Sequence, residues 1–428
     1  MMLLLLAACG IPDASDPCAC VGMGVVVMGE GECACLAYRE ATPDPEPLTS
    51  FRVTEDVDWS AVNAALSRGD VSIIFDAAGE FPRQHVERTD PSAHRLTLLG
   101  SAEKMRSGEW TDADGSRANV EGVYSKETGT TDNVTVRGFN ITGSSDKGVA
   151  WRAGSGVVIE DNLIHDNAGS PALYLDYSSR TGHRSTGFSV RNNHIYAQGG
   201  ECVYIGGSEG EDADSHSGIT IEGNLIHDCF HRLTNKTDGI NIKDRLSGVV
   251  VRGNVVINTD WGIEVASPGL IEDNLVIGSQ RNGFHITDEW GLGMSGLVMT
   301  DNAAIWTGDA GAYLNATANA WSDVTIDGFT VVGPGGAGIE LGGEGGISGV
   351  LSRILVVDAT VGLDAWSPMD VVVTCHTEGV AAATARELAG VECGESDGGM
   401  VGMVGVAGAD GVFFTADDPW RSGVGAEP

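Results

Sequence analysis

One short pattern recurs about nine times along this 428-residue chain: three or four β-branched residues, a charged residue, Gly or Asp, then Asn and another apolar triplet. Residues 157–164, 188–195, 219–226 and 249–256 carry it with Asn162, Asn193, Asn224 and Asn254, and Asn274 and Asn302 continue the frame. Phe139 and Phe329 take the Asn position at the two ends, and the steps from Phe139 onward are 23, 31, 31, 30, 20, 28 and 27 residues. After each pair of apolar runs a third begins on a small residue, at Gly239, Gly262, Gly283 and Gly338. Three short strands, each apolar at every second position, bury one face only when successive coils stack on one another. The variable step length then falls in loops. A recurring Asn suits the turn because it tolerates left-handed backbone and its amide can bond to the same amide one coil away. A set of separate hairpins would need antiparallel turn signals, which the sequence lacks. The 61 Gly against 10 Phe likewise argue against a helical enzyme.

These repeats resemble the right-handed parallel β-helix proteins of the pectate-lyase-like superfamily, over about three quarters of the chain, residues 51–375. The resemblance implies an all-β fold: a single-stranded right-handed parallel β-helix with three strands per coil and about nine to ten coils. Residues 58–67 read as an amphipathic helix with Trp59, Val62 and Leu66 on one face. In that superfamily such a helix caps the open end of the stack, where a free sheet edge would recruit other chains. Beyond Val373 the period is lost, and Cys375 and Cys393 flank a helix-like run at 381–388, which reads as a second cap tied by a disulfide. Residues 376–428 are assigned to that cap and to a solvated tail.

The segment 1–9 ends in Leu6-Ala7-Ala8-Cys9, which resembles the lipobox of bacterial lipoproteins. That implies export, lipidation of Cys9, an outer-membrane lipoprotein facing the periplasm or the cell surface, and membrane contact through the lipid anchor alone. Residues 10–50 form a Cys-rich segment, with Cys18, Cys20, Cys33 and Cys35, followed by a tether containing Pro43, Pro45 and Pro47. Two disulfides clipping a hairpin suit an exported chain better than a zinc site with such close spacing. Cys202 opens a third strand and Cys229 follows the second strand one coil later at the same corner, so these two are expected to be bonded. The formal charge of −35 excludes a nucleic-acid partner engaged through a basic patch.

Chemistry concentrates on the outward positions of the third strands: Tyr174 and Asp176, Tyr204, Asn241 and Lys243, Glu264, then His285 and Thr287. Neighbouring coils set such side chains about 4.8 Å apart in a ladder. The longest inserts, residues 176–187, 206–218, 227–238 and 287–295, border the same strands, so loops, 206–218 and 227–238 above all, wall a groove able to hold an extended ligand. Lys243 is one of five lysines, and the run Thr237–Lys243 is similar to the strand bearing the essential lysine in β-helical lyases of the alginate-lyase and chondroitinase type. The resemblance implies Lys243 as the base that takes the proton beside a uronate carboxylate, with calcium neutralising that carboxylate. Glu264 and Asp238 are the candidate calcium ligands. The assisting arginine of those enzymes is missing on the next coil, which offers Glu264 and Ala266.

Nearby acidic residues favour the charged form of Lys243, so an ion pair or a cationic clamp competes with the base role. In the clamp reading His285 or Tyr204 is the base. Tyr174, Asp176, Asn241 and Arg245 are the candidate substrate-binding residues. Two function classes follow: a monomeric surface protein that binds polysaccharide and cleaves a uronate polymer by β-elimination, or a non-catalytic glycan-binding or structural surface protein. A hydrolase fits less well, because Asp176 and Glu264 lie three coils apart, about 14 Å by strand spacing. Lys243→Ala is expected to abolish turnover or binding with little loss of stability, as an exposed pair contributes only about 0–1 kcal/mol.

Two other motifs carry no chemistry in this frame. Gly333-Pro-Gly-Gly-Ala-Gly338 has dinucleotide-loop spacing but leads into a strand, whereas that loop must open a helix. His165 and His227 hold equivalent places two coils apart, about 9–10 Å, too far to share a metal.

Overall fold

The computed structural model describes residues 49–365 except 77–78, 90–92, 101–116, 126–130, 153, 176–183, 207–215, 230–236, 244 and 358, together with the backbone of Met23–Met28, Glu32–Ala37, Met369–Thr377 and Glu392–Gly394. Each coil contributes three short strands. The first two join a 24-stranded sheet and the third joins an 11-stranded sheet that runs from Gln84–Val86 to Val361–Ala365. Pairing between coils is parallel throughout, with Thr220–Glu222 set on Ser189–Arg191 and Ile263–Val265 set on Ile240–Ile242 as examples. Alternate residues point inward and fill the interior with Ile, Val and Leu, as at Val203, Ile205, Ile240, Ile242, Ile263 and Val265, all sealed from solvent.

The Asn column forms as the repeat predicts. Each side-chain amide donates to the Oδ1 of the next coil's Asn, at 3.0 Å for Asn162 to Asn193, 3.0 Å for Asn193 to Asn224, 2.9 Å for Asn224 to Asn254, 2.9 Å for Asn254 to Asn274 and 3.0 Å for Asn274 to Asn302. The same Oδ1 also accepts the backbone N–H of the Asn before it. Phe139 continues the column, since its N–H donates to Asn162 Oδ1, and its ring packs edge-on against Phe75. Phe329 at the far end packs on Phe284 in the same way.

The left-handed turn residue is not the ladder Asn, contrary to one of the reasons that single it out in the sequence. It is the residue before it: Asp161, Asn192, Gly223, Gly253, Asp273 and Asp301 all have φ between 51° and 63°. The ladder Asn is selected for its amide, and its predecessor for its backbone. The small residue that opens each third strand has a steric cause too. A Cβ at Gly262 would lie 2.3 Å from Val276 Cγ1 and 2.4 Å from Gly283 O, and Gly239 and Gly283 are equally tight.

The helix Trp59–Leu66 is capped by Asp58, whose side chain accepts the Ala61 N–H, and it buries Val62, Ala65 and Leu66. It lies between Thr49–Val53 and Val71–Phe75, which pair in parallel at the start of the stack. The disulfide Cys202–Cys229 joins two coils with Cα atoms 5.7 Å apart. Met23–Met28 and Glu32–Ala37 form an antiparallel hairpin. At the other end Met369–Thr377 and Glu392–Gly394 extend the large sheet, and their register sets Cys375 beside Cys393. The side chains of these two cysteines, Cys9, Cys18, Cys20, the 381–388 run and the tail lie outside the described residues. The Gly333–Gly338 motif is a turn entering the strand Ala337–Gly343.

Two stability measurements follow. Asn224→Ala removes donors to Val190 O, Glu222 O and Asn254 and orphans the groups of Asn193 that bond to it, so it should cost at least about 3 kcal/mol in denaturant unfolding. Burial, reinforced by Glu160, pushes the Asp161 carboxyl from 3.8 up to about 7 despite Arg137, Arg117 and Arg191. A raised carboxyl stabilises the fold at low pH, and that contribution is lost as pH rises from about 4 through about 7. Asp161→Asn, which copies Asn192 one coil on, should therefore raise the melting temperature at pH 8 and leave it unchanged near pH 3.5.

Candidate active site

Register alone assembles the site. Tyr174, Tyr204, Asn241, Glu264, His285, Tyr313, Glu340 and Asp364 are directly paired from coil to coil on the outer face of the 11-stranded sheet. Within that column Glu264 is the hub. Its Oε1 accepts from Lys243 Nζ at 3.1 Å and its Oε2 bonds His285 Nδ1 at 2.9 Å, while its side chain is only 2% exposed. Burial pushes the Glu264 carboxyl up, but the His285 bond and the Lys243 charge outweigh it and hold it down at about 2. An ionised Glu264 can only accept, so the proton of this bond sits on His285 Nδ1. The imidazole lies between Trp261, with ring centroids 4.6 Å apart, and Tyr313, stacked at 5.5 Å.

Lys243 is not the exposed lysine of the sequence reading. Its side chain is 10% exposed, and its ammonium also bonds Glu289, which comes from the loop after the strand Phe284–Thr287. Burial pulls the ammonium down, yet Glu264 and Glu289 outweigh it and hold it above the ordinary lysine range. The protonated form is therefore the resident one, and the geometry offers an ion pair where the resemblance implies a base.

Tyr204 and His285 are three coils apart, about 14 Å by strand spacing, and do not meet on one sugar. Tyr204 instead sits under Lys243, 5.5 Å from Nζ to ring centroid, and against Tyr174 at 5.7 Å. The phenol beside His285 is Tyr313, which burial, helped by Glu340, pushes above its ordinary pKa, so it keeps its proton. Sequence reasoning missed Tyr313, although Gly311 opens its strand as Gly283 opens that of His285. It also missed Trp261 and Glu289.

The expected calcium pair does not fit a metal. Both Glu264 oxygens are engaged by cationic or N–H donors, and Lys243 occupies the position a cation would need. Asp238 Oδ2 accepts from Asn241 Nδ2 at 2.6 Å, and burial, reinforced by Glu264 and Glu201, pushes its carboxyl well above the usual range. A neutral acid is a poor calcium ligand. Among the described residues no group of three His, Cys, Asp or Glu is placed to hold a metal. Asn241 is thus tied to Asp238 and nearly sealed from solvent. Arg245 is half-buried with φ 65° and makes no described contact with the column. Asp176 lies outside the described residues, as do 207–215 and 230–236 of the expected groove walls.

Cations stand over aromatic rings along the same face: Arg83 over Tyr124 at 4.5 Å, Lys147 over Tyr174 at 5.2 Å and Arg281 over Trp261 at 5.4 Å. The opposite chemistry marks the second strands. There His165 and His227 stack on either side of Tyr196, at 4.9 and 5.0 Å, and His227 Nε2 meets His194 Nε2 at 2.8 Å. His165 and His227 are hydrogen-bonded through Nδ1 to Asp166 and Asp228, as structural polar residues are.

The family described as right handed beta helix region matches residues 111–210 and 181–351, more than half of the sequence. The chain belongs to that family, which fixes the hand of the coil. No curated protein is similar enough to this sequence to count as a match. Among solved structures it is similar to an alginate lyase from Paenibacillus sp. str. FPU-7, at 16% identity and TM-score 0.43, covering 76% of this chain and 97% of that one. A mannuronan C-5 epimerase A-module of Azotobacter vinelandii shows 14% identity and TM-score 0.42, covering 80% of this chain and 94% of that one. A surface protein and adhesin of Streptococcus pneumoniae shows 10% identity and TM-score 0.40, covering 77% and 96%.

Because Lys243 is buried between two carboxylates, its removal leaves Glu264 uncompensated. Lys243→Met should cost about 3–5 kcal/mol of stability, read from denaturant midpoints, in place of the small loss expected for an exposed lysine.

Proposed function

We propose that the protein binds an extended acidic polysaccharide along the outer face of the 11-stranded sheet and cleaves it by β-elimination at His285. The observation that carries this reading is the Lys243–Glu264–His285 relay set in a ladder of aromatic rings and cations. Sugar rings stack on aromatic faces, and cations beside those faces favour uronates over neutral sugars. In the elimination His285 Nε2 takes the proton on C5, the C–H electrons form the C4=C5 double bond, and the C4–O bond breaks. The leaving oxygen takes the proton of the Tyr313 hydroxyl. Glu264 stabilises the imidazolium that forms, and Lys243 supplies the positive charge for the substrate carboxylate. Tyr174 and Tyr204 then serve as flanking sugar platforms, not as catalytic groups. In this reading the lipobox-like Cys9 anchors a single chain to the outer membrane, facing its glycan.

One observation favours a second reading, glycan binding without cleavage. The positions beside the relay on neighbouring coils are Ala266 and Thr287, and no arginine of the described residues contacts His285.

Incubation with a panel of uronate polymers, followed by ultraviolet absorbance and calorimetry, separates the two. Cleavage gives rising absorbance from unsaturated ends, which His285→Gln should reduce by at least about 100-fold with binding retained. Binding without absorbance supports the second reading, and neither signal on any acidic polymer removes both.

A further inference from the structure

Lys243 has one carboxylate more than its charge requires. Glu264 already neutralises it, comes from a strand, and spends both oxygens on Lys243 and His285. It has no freedom to leave. Glu289 is different: its side chain is 28% exposed, and it reaches Lys243 from the tip of a turn in which the Gly291 N–H donates to Asp288 O at 2.7 Å. The root of that turn is fastened. Asp288 Oδ1 accepts from the Thr317 N–H at 2.7 Å and hydroxyl at 2.6 Å, Asp288 Oδ2 accepts from the Gly293 N–H at 2.9 Å, and Asn319 donates to Gly291 O. The tip is not buried, since Trp290 and Leu292 are 48% and 49% exposed.

We propose that Glu289 is a built-in stand-in for the carboxylate of the ligand, displaced from Lys243 when an acidic sugar binds. The inference rests on the acidic-polysaccharide reading above and names the residue that sets its selectivity. With Glu289 in place the relay carries two carboxylates against one ammonium, and a bound uronate would add a third negative charge unless one withdraws. Exchange of Glu289 for the ligand's carboxylate leaves the ion pair of Lys243 intact and moves the displaced charge out to solvent. A neutral sugar brings nothing to exchange and leaves Glu289 where it is. The discrimination is therefore against neutral chains as much as for acidic ones.

The test is calorimetric titration of the wild-type chain and of Glu289→Gln with oligomers of galacturonate, mannuronate and guluronate, and with a neutral oligoglucan. Glu289→Gln should bind the best oligouronate about tenfold more tightly, the factor expected if Lys243 is free of Glu289 in about one tenth of wild-type molecules. Affinity for the neutral oligomer should not change. Equal or weaker uronate binding by Glu289→Gln, with the wild type binding uronates normally, overturns the stand-in and leaves the polysaccharide reading in force. If neither protein binds any uronate, the acidic-polysaccharide reading itself has failed, and the inference falls with it.

Discussion

The hydrogen bond from one side-chain amide to the same amide in the next coil is the interaction on which the rest depends. A parallel stack of short strands has no hairpin turns to fix its register, and a slip by one residue would turn every core side chain outward. The Asn column from Asn162 to Asn302 removes that freedom, because each buried Nδ2 also needs a carbonyl of the preceding coil, as Asn224 needs Val190 O and Asn254 needs Ile221 O. An amide out of register would lose these partners inside a dry corner, where an unmade hydrogen bond is expensive. The interior then fills as a matter of alternation.

Register of the third strands follows from the same lock, and with it the chemistry. Glu264 meets His285 because their strands are aligned residue for residue, and Lys243 reaches Glu264 because it stands two positions beyond Asn241, the residue paired with Glu264. No loop has to close to bring these three together. The electrostatic consequence is an ammonium held above the ordinary lysine range by Glu264 and Glu289, and a carboxylate held below the ordinary range by His285 and Lys243. That pairing also holds the imidazole, bonded through Nδ1 to Glu264 and packed between Trp261 and Tyr313.

The fold was legible because its determinants are local and repeated: the Asn frame, the small residue before each third strand, and the pairing of Cys202 with Cys229. The column of outward residues was legible for the same reason. What escaped was everything set by loops or by burial. Glu289 lies 46 residues beyond Lys243, and nothing in its spacing announces that its turn folds back over the ammonium. The exposure of Lys243 was misjudged for that reason, and the calcium reading of Glu264 with it, since carboxylates near a lysine in sequence look available until their oxygens are counted. Tyr204 was favoured over Tyr313 because the outward residues were read only as far as Thr287, although the frame itself runs on to Phe329 and Gly338.

The coil between Asn254 and Asn274 is the shortest of the stack at 20 residues, and half of them are in its three strands. It is also the coil that carries Glu264. Its corners are short and fastened: the Thr259 carbonyl accepts the Gln280 N–H at 2.8 Å, and Ser267 Oγ accepts the Leu246 N–H at 2.9 Å and donates to Lys243 O at 2.6 Å. Length in this one coil is thus held down by its neighbours: residues added near Thr259 or Ser267 would break the ties of two buried corners, and the tie at Ser267 holds the backbone of Lys243 itself. The coil that carries the hub of the relay therefore has the least room to change in length, and an insertion there would disturb the ion pair and the fold together.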